Sequence, residues 1–468
     1  MSVTDSGPAA RPAPVDVAHH AHLTGLFEPQ REEVDVRGLE VVGELPRDLH
    51  GAYLRNGPNP RFDPIGTYIY PLDGDAMVHR IELDDGTARY TNRFVRTPMV
   101  VAEEAAGQAI WPGVTDFYTP GEDEVGPELA GTQRELPDIN IVRHGGRLLA
   151  MAETTLPFGL DPADLRTLGR ETCDGALAIG STAHPKIDPV NGEMVLFNYL
   201  LEAPYLTWSV VGADGSVVRK PTPVAGVDKS IMIHDMALTE RYIVLMVCPL
   251  VFDIEAAMTG GSILDWRPDD GTRIAMIPRD GGAVRWVDHE AYWVWHFANA
   301  FDLPDGRVSV DYVEWPYPAL LAGDPRPCEA ALIRAVIDPA SGRVARDVVS
   351  DRDMEFPRVD DRQITRRHRA VATVGKSGGR EGDMDSLWFF DTESGSEAHW
   401  KPDGCSVGEP IFMPGADHEY WGTIGTDLAA GESWFFVLPA EDPSSGPLAK
   451  VRLPIRVPAG LHGAWLQA

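Results

Sequence analysis

The amino-acid sequence predicts an all-β fold, and within that class a β-propeller. Short β-branched or aromatic runs, separated by hairpin and tight-turn residues, recur through most of the 468 residues. Long helices are expected to be rare in a chain with 46 glycines and 39 prolines. Chain ends normally fray and are poorly ordered. The final stretch PAGLHGAWLQA is instead apolar and carries His462 and Trp465, which indicates a segment that is held inside the fold.

The predicted strands are apolar runs whose composition favours half-buried β-structure. In chain order the clearest are GEMVLFNYLL (192–201), TWSVVGADGSVV (207–218), RYIVLMVCP (241–249), TRIAMIPRDGG (272–282), RVSVDYVEW (307–315) and EYWGTIGTD (419–427). The stretches ADGS, PRDGG and LPDG supply the residues that tight hairpins need. Three stretches are predicted to be short helices in loops, namely DPADLRTLG (161–169), DIEAAMTGG (253–261) and CEAALIRAV (328–336).

One propeller is favoured over a row of β-sandwich domains because no Ser/Gly/Pro-rich linker separates the apolar blocks. We expect a single propeller domain over residues 26–468, preceded by a disordered lead-in over residues 1–25. No exact repeat period is visible, so the blades are expected to be uneven. Propeller rings commonly close by pairing the last strand region with the first, which would account for the held terminal segment.

The composition argues against several classes of function. The net charge of −30 disfavours nucleic acid as a partner and disfavours electrostatic docking on anionic lipid. No apolar run approaches the roughly 20 residues of a transmembrane helix, and we expect no secretory signal in the first residues. The cysteines lie far apart without CxxC spacing, which argues against zinc sites and disulfides and favours the cytoplasm. These cysteines are Cys173, Cys248, Cys328 and Cys405.

Most of the 14 histidines are predicted to lie at the surface, in the lead-in, in polar turns or beside charged residues. These are His19, His20, His22, His144, His289, His368, His399 and His418. Four others sit at apolar strand edges, where a buried neutral imidazole needs a partner for each nitrogen. They are His184 in STAHPKIDPVNGEM, His234 in SIMIHDMALTERYIVL, His296 in YWVWHFANAFD and His462 in GLHGAWLQA.

Two explanations of these four histidines remain open at the level of residue spacing. Imidazole is a good ligand for first-row metals, so the set is a candidate metal site. The spacings of 50, 62 and 166 residues match no local metal motif. Each ring could instead be a separate core histidine bonded to the backbone. A ring fold would favour the metal site, because distant strands then converge on one axis.

The segments around these histidines resemble the carotenoid cleavage oxygenase family, which includes the retinal pigment epithelial membrane protein. The resemblance begins near residue 35 and covers nearly all of the chain after it. The motifs that carry it occur in order. They are LHGAYLRNGPNP, LDGDAMVHRI, AHPKIDPVNGEMVLFNY, IHDMALTERYIVL, WHFANAFD, EFPRVDDR, GEPIFMP and the closing LHGAW.

The resemblance implies a seven-bladed β-propeller with a helical and loop cap over one face. It also implies a non-haem Fe²⁺ on the propeller axis, held by four histidines without a carboxylate ligand. The matching positions are His184, His234, His296 and His462. The family places three glutamates behind the ligands, each accepting the far N–H of a histidine. Here they are Glu153 in AMAETTLPFGLDP, Glu355 in MEFPRVDD and Glu409 in VGEPIFMP.

The reaction implied by the resemblance is cleavage of a C=C double bond by O₂ to give two carbonyl products. No organic cofactor is expected, since no GxGxxG motif is present. Relatives that cleave hydroxystilbenes or phenylpropenes carry a lysine before the first glutamate and a tyrosine from an earlier segment. This chain has Ala152 at the lysine position, and Met99 and Val100 where the tyrosine is expected. Ile139 replaces a threonine found in many relatives fourteen residues before Glu153.

These departures favour a carotenoid or apocarotenoid substrate, because an apolar pocket cannot strongly prefer a phenol that it does not hydrogen-bond. The same chemistry on a stilbenoid or phenylpropenoid is the first alternative. A non-catalytic propeller that binds a ligand on its axis is the second. A lipid-borne substrate further predicts peripheral, hydrophobic membrane contact through residues 248–266, although this stretch could equally pack as a loop between blades.

Overall fold

Seven β-sheets surround one axis in the computed structural model, which describes residues 11–116, 118–153, 155–177, 180–319, 329–378 and 384–468. The predicted seven-bladed propeller is confirmed. The inner strands line a common axial cavity of about 430 Å³, and those of blades 4, 5 and 6 contact one another in turn. Each blade takes its inner strand from the start of its chain segment, except blade 1, whose inner strand comes from the terminal segment.

The blades have four to six strands, so they are uneven as predicted. Blade 1 comprises Asp35–Arg37, Gly51–Arg55, Met77–Asp84, Thr87–Phe94 and Gly463–Gln467. Blade 2 comprises Asn140–His144, Arg147–Met151, Phe158–Leu160 and Thr167–Arg170. Blade 3 comprises Lys186–Ile187, Met194–Tyr199, Leu206–Val211 and Val217–Pro223. Blade 4 comprises Ala237–Leu238, Tyr242–Val247, Thr272–Pro278 and Arg285–His289, with an inserted hairpin Leu250–Phe252 and Leu264–Trp266.

The remaining blades complete the ring. Blade 5 comprises Trp293–Asp302, Val308–Trp315, Ala331–Asp338 and Arg343–Ser350. Blade 6 comprises Met354–Arg358, Ala370–Gly375, Ser386–Asp391 and Glu397–Trp400. Blade 7 comprises Val41–Gly43, Cys405–Val407, Ile411–Pro414, Glu419–Asp427, Glu432–Pro439 and Ala449–Arg452.

Burial explains why the middle strands are continuous apolar runs. Every residue of Met194–Tyr199 and Leu206–Val211 is buried, because each blade packs against a neighbour on both faces. The outer strand Val217–Pro223 instead alternates between exposed and half-buried positions. A strand buried on both faces loses the polar alternation of a half-buried strand. The core therefore lies between the blades rather than at one centre.

The ring is closed twice, by both ends of the chain. Gly463–Gln467 pairs antiparallel with Gly51–Arg55 and becomes the inner strand of blade 1. Val41–Gly43 pairs with Ala449–Arg452 and becomes the outer strand of blade 7. The terminal segment is therefore held by a full strand of backbone hydrogen bonds, as its apolar composition indicated.

Helices are short in the described residues, and two of the three sequence-predicted helices are wrong. The α-helices are Pro98–Ala106, Glu122–Val125 and Ile254–Met258. The 3₁₀ turns are Val17–His19, Ala21–Leu23, Gly25–Phe27, Cys173–Gly175, Pro268–Asp270, Asp361–Gln363 and Pro443–Ser445. The stretch 161–169 forms turns that lead into Thr167–Arg170. The described part of the stretch 328–336, from residue 329 onward, leads into the strand Ala331–Asp338. This strand pairs on both sides with strands of blade 5 and buries Leu332, Ile333 and Ala335, which suits β-structure.

The structure describes the segment before blade 1 from residue 11 onward, and residues 1–10 of the predicted lead-in lie outside the described residues. The described part of this segment forms a β-bridge from Pro14 to Ile65 and three 3₁₀ turns, with Leu23 fully buried. Aromatic side chains of this segment pack on the loop between the strands Gly51–Arg55 and Met77–Asp84. The ring centroids of His20 and Tyr68, for example, are 5.7 Å apart. Side-chain packing on neighbouring loops fixes this polar segment, which explains why local composition alone did not predict its order.

Two further expectations concern the cysteines and membrane-spanning segments. Cys173, Cys248 and Cys405 are buried free thiols, and Cys328 lies outside the described residues. Among the described helices, none has the length and apolar character needed to cross a membrane. The segment 248–266 contains the inserted hairpin of blade 4 and the helix Ile254–Met258, whose Met258 is 75% exposed.

Candidate metal centre

Four buried histidines meet in one cluster, and three of them, His184, His296 and His462, line the axial cavity. One ring nitrogen from each of His184, His234, His296 and His462 lies within 4.8 Å of the others. The Nε2 atom of His234 is 3.1 Å from Nε2 of His184 and 3.2 Å from Nε2 of His296. The ring of His462 stands almost perpendicular to that of His184, with 4.4 Å between their centroids. The structure therefore brings together all four histidines that the sequence analysis singled out.

Blade geometry places three of these rings. His184 and His234 lie just before the short inner strands of blades 3 and 4, so each enters the axis from a strand edge. His296 lies within the inner strand of blade 5, where the register shifts between Val294 and Phe297. A bulge of this kind bends a strand and re-aims a side chain, which turns His296 toward the other rings.

The fourth ring is fixed by the segment that closes blade 1. The N–H of His462 donates to the Ile139 carbonyl at 3.1 Å, and its own carbonyl accepts from Asn56 N–H at 3.0 Å. The next residue, Gly463, lies so close to blade 1 that an added Cβ would be 2.4 Å from the Leu54 carbonyl oxygen. Glycine is therefore required beside His462 for the strand to reach its partner.

Each of three histidines has a glutamate on its far nitrogen. Nδ1 of His234 contacts the carboxylate of Glu153. Nδ1 of His296 lies 2.6 Å from Oε2 of Glu355. Nδ1 of His462 lies 2.9 Å from Oε1 of Glu409. All three glutamates predicted from the sequence are therefore beside a histidine, while no carboxylate is beside Nδ1 of His184 in the described residues.

Two of the carboxylates are themselves held in place. Glu355 accepts from the indole N–H of Trp315 at 2.8 Å and from the N–H of Phe356 at 2.6 Å. Glu409 accepts from the N–H of Gly463 at 2.8 Å, and the guanidinium of Arg358 lies 3.5 Å from it. Such outer partners orient imidazole ligands and fix which ring nitrogen carries the proton.

The hydrogen-bond pattern fits a cation among the four rings. At His234, His296 and His462 a glutamate carboxylate accepts a hydrogen bond from the Nδ1–H group, which leaves Nε2 of each of these three rings with a lone pair. The Nε2 lone pairs of His234 and His296 therefore face each other at 3.2 Å and cannot hydrogen-bond, so these two neutral rings need a positive ion between them. Two nitrogen ligands at right angles and about 2.1 Å from one metal ion are about 3 Å apart. The donor set therefore matches a divalent first-row metal.

Burial and charge set the protonation of the centre. Burial, followed by the neighbouring imidazoles, holds the pKa of His184 well below its ordinary value. Burial lowers the pKa of His462 to about 4, against the opposing effect of Glu409. Burial also acts against ionisation of Glu409, but Arg358 and His462 hold the pKa of this carboxyl at about 2. Burial lowers the pKa of His234 as well, but the Glu153 carboxylate more than offsets this, so that the pKa of His234 is raised. The shifts therefore favour neutral rings at His184 and His462 beside an ionised Glu409, which is the protonation that metal ligation requires.

Comparison with known proteins agrees with this geometry. The family model for the retinal pigment epithelial membrane protein matches residues 27–467. The chain belongs to this family. It is 30% identical to resveratrol cleavage oxygenase 1 of Aspergillus fumigatus, over 95% of both chains. It is also 30% identical to carotenoid 9,10(9',10')-cleavage dioxygenase 1 of Phaseolus vulgaris, over 95% of this chain and 89% of that protein.

A solved structure supports the same assignment. The lignostilbene dioxygenase of Pseudomonas brassicacearum superimposes with a TM-score of 0.86 at 29% identity, covering 98% of this chain and all of that one. The protein is therefore an oxidoreductase of the oxygenase type, with the four-histidine centre of a carotenoid cleavage oxygenase. The second sequence alternative, a propeller without catalysis, is not supported.

The remaining residues predicted for the oxygenase pocket fall into two places. Ile139 and Ala152 lie in one apolar cluster with Ala183 and Leu461, the residues that precede His184 and His462 in the chain. Tyr70 and Phe356 border this cluster. The cluster therefore adjoins the histidine centre.

The other two predicted pocket residues lie elsewhere in the oxygenase. Met99 and Val100 are buried in the helix Pro98–Ala106, where Met99 packs with Ile110 and Trp111. Among the described residues, neither belongs to the apolar cluster around Ile139 nor to the lining of the axial cavity. Their proposed contact with substrate remains a prediction.

Sequence reasoning missed several residues of the centre. Phe356 stacks on His296 with 5.2 Å between centroids and lies 5.1 Å from His462, and its backbone is left-handed, with φ of 53°. A non-glycine residue in this conformation is strained and is retained only where the surroundings demand it. Trp295 packs edge-on against His234 at 5.0 Å. Phe356 directly follows Glu355 and Trp295 directly precedes His296, but no local sequence pattern predicts which imidazole each side chain contacts.

Proposed function

We propose that the four histidines bind Fe²⁺ and that the protein cleaves a C=C double bond of a carotenoid or apocarotenoid with O₂, giving two carbonyl products. The observation that carries this proposal is the set of four converging imidazoles, three of them backed by glutamates, beside an apolar cluster. Bound iron would supply the site at which O₂ reacts with an electron-rich double bond.

The residues of the chain have distinct tasks in this reaction. The glutamates hold the Nδ1 protons of three histidines, which keeps each Nε2 available to the metal. Their negative charge offsets that of the divalent ion in a buried site. Phe356 packs on two of the rings and restricts their rotation. The apolar cluster around Ile139 orients the double bond and excludes water.

The character of this cluster supports a polyene substrate. Ala152 and Ile139 present methyl groups beside the centre, where relatives that bind phenols carry a lysine and many relatives carry a threonine. Apolar walls of this kind stabilise a hydrocarbon chain by burial and offer no donor to a phenolic oxygen. Curated relatives include both a carotenoid dioxygenase and a resveratrol oxygenase, so a stilbenoid is the competing substrate.

Product analysis separates the two substrate classes. Protein purified without oxygen and loaded with iron is incubated with a panel of apocarotenals and hydroxystilbenes under isotopically labelled O₂. We expect labelled carbonyl products from the polyenes. The variant Ala152→Lys, which adds an amine beside the centre, should shift turnover toward the hydroxystilbene. Cleavage of the hydroxystilbene alone by the unmodified protein would overturn the substrate class but leave the reaction intact.

Glu409→Gln is expected to retain the fold and to lower iron affinity or turnover by roughly 10–100-fold. The amide keeps the shape of the side chain but removes the charge that Arg358 and His462 face. Metal content after dialysis and the rate with saturating substrate measure the effect. The matched control is Glu397→Gln, which removes an arginine-paired carboxylate in the outer strand of blade 6. Equal behaviour of the two variants would contradict the role given to Glu409.

Cytoplasmic location and membrane contact remain predictions from the sequence. The segment 248–266 presents Met258 to solvent, and its half-buried apolar residues include Ile254, Leu264 and Trp266. An apolar surface of this kind would suit uptake of a lipid-borne polyene without requiring anionic lipid.

A further inference from the structure

A carboxylate outside the histidine–glutamate set joins three of the histidine segments. Asp235 directly follows His234, and only 1% of its side chain is exposed. Its Oδ1 atom accepts from Nζ of Lys186 at 2.7 Å and from the N–H of Met236 at 2.7 Å. Its Oδ2 atom accepts from the N–H of Phe297 at 2.9 Å.

The donors belong to neighbouring blades. Lys186 lies two residues after His184 in blade 3, and Phe297 directly follows His296 in blade 5. Asp235 itself lies between them in the segment that leads into blade 4. One buried carboxylate therefore bonds to the chain segments of three metal-site histidines.

The position of this carboxylate follows from strand geometry. Consecutive side chains of an extended chain point to opposite faces. His234 therefore faces the other imidazoles, while Asp235 faces the axial cavity, which Lys186 and Phe297 also line.

We infer that Asp235 is a positioning residue that sets the distances among the Nε2 atoms of His184, His234 and His296. This inference rests on the proposed metal centre. Hydrogen bonds from an ammonium group and a backbone N–H to a carboxylate are short and directional, so they fix the relative placement of the segments they join.

The fourth histidine is independent of Asp235. His462 is held by the Ile139 carbonyl and by Glu409, neither of which contacts Asp235. Loss of the Asp235 carboxylate should therefore displace three ligands relative to the fourth and distort the site. Because removal of one partner of a buried ion pair also destabilises the fold, the effect on the metal is measured where the variant is folded.

Asp235→Asn is compared with Asp75→Asn, a matched control. Asp75 also has 1% of its side chain exposed, and it accepts from a cation, Arg134, at 2.6 Å and from the Arg61 N–H at 2.8 Å. It lies in a loop that follows the inner part of blade 1 and contacts no histidine of the centre. Co²⁺ serves as the probe because its absorption reports ligand geometry without oxygen chemistry.

The test is a cobalt titration of the full-length proteins at a temperature where both variants are folded. Asp235→Asn should bind Co²⁺ about 10–100-fold more weakly than the unmodified protein and with an altered ligand-field spectrum. Asp75→Asn should keep the affinity and the spectrum, although its melting temperature falls. Equal cobalt affinity and spectra in the two variants would overturn the inference. Failure of the unmodified protein to bind cobalt would instead overturn the metal centre itself.

The double variant Lys186→Met, Asp235→Asn tests whether an unpaired ammonium group explains the loss. Removing both charges should restore part of the melting temperature, since no buried cation is left without a partner. Cobalt affinity should stay low, because the bond to Lys186 is gone and the Phe297 N–H is left with a neutral amide oxygen in place of a carboxylate. Full recovery of affinity in the double variant would show that Asp235 merely neutralises Lys186 and would overturn its positioning role.

Discussion

Deletion of residues 459–468 is expected to abolish metal binding and to unfold the propeller under conditions where the full chain is stable. The deletion removes His462 and the strand Gly463–Gln467, which pairs along its whole length with Gly51–Arg55. It also removes the His462 ring and the Gly463 N–H from the buried carboxylate of Glu409, which keeps only the Arg358 guanidinium at 3.5 Å. Losses of this kind amount to several kcal/mol, against a total stability of about 5–15 kcal/mol for a folded domain.

Thermal unfolding and cobalt titration measure the two effects separately. The control is His462→Ala in the full-length chain, which keeps the inner strand and removes only the imidazole. This variant should lose the metal but remain folded, with a melting temperature well above that of the truncated chain. A truncated protein that still binds cobalt with the original spectrum would contradict the assignment of the fourth ligand.

His234→Ala is expected to release iron and to remove nearly all turnover, a larger loss than the roughly 100-fold upper range for an outer glutamate. His234 is the ring whose Nε2 lies close to two others, at 3.1 and 3.2 Å. Its removal also leaves Glu153 without its hydrogen-bond partner in a mostly buried position. Iron content of the purified protein and product formation from a polyene give the measurement.

The matched control for His234→Ala is His144→Ala. His144, which was expected at the surface, is also buried, and its Nε2 atom lies 2.9 Å from the Gly192 carbonyl, outside the cluster of four histidines. This variant should lose stability but keep one equivalent of metal. Retention of iron by His234→Ala, at the level of the control, would exclude His234 from the ligand set.

Much of the fold was accessible from local sequence patterns. Runs such as 192–201 and 419–427 form strands because their β-branched and aromatic residues suit a surface packed on both sides. The stretch 328–336 was misjudged because alanine and arginine favour helices in isolation, while pairing with Val308–Trp315 decides its conformation. The helix Pro98–Ala106 was missed, although Thr97 as its cap, Pro98 at its start and Gly107 after its end were visible signals.

The site was predictable only in part. The apolar setting of the four histidines marked them, but spacing did not say that they meet, and the family resemblance supplied that step. His368 was expected at the surface, yet it is buried against Asp311 at 2.8 Å. This contact joins residues of blade 5 to the segment before the second strand of blade 6. Contacts between side chains of neighbouring blades form only when the blades assemble, so no local sequence pattern predicts them.

The arrangement of the candidate ligands around the ring couples metal binding to the strand pairing of Gly463–Gln467 with Gly51–Arg55, which closes blade 1. His184, His234 and His296 come from three consecutive blades, whereas His462 belongs to the strand that seals blade 1. An ion bound by all four histidines would stabilise the closed ring relative to a form whose terminal strand is detached, because it binds only the closed form fully. Removal of the metal would then weaken the attachment of the terminal strand to blade 1.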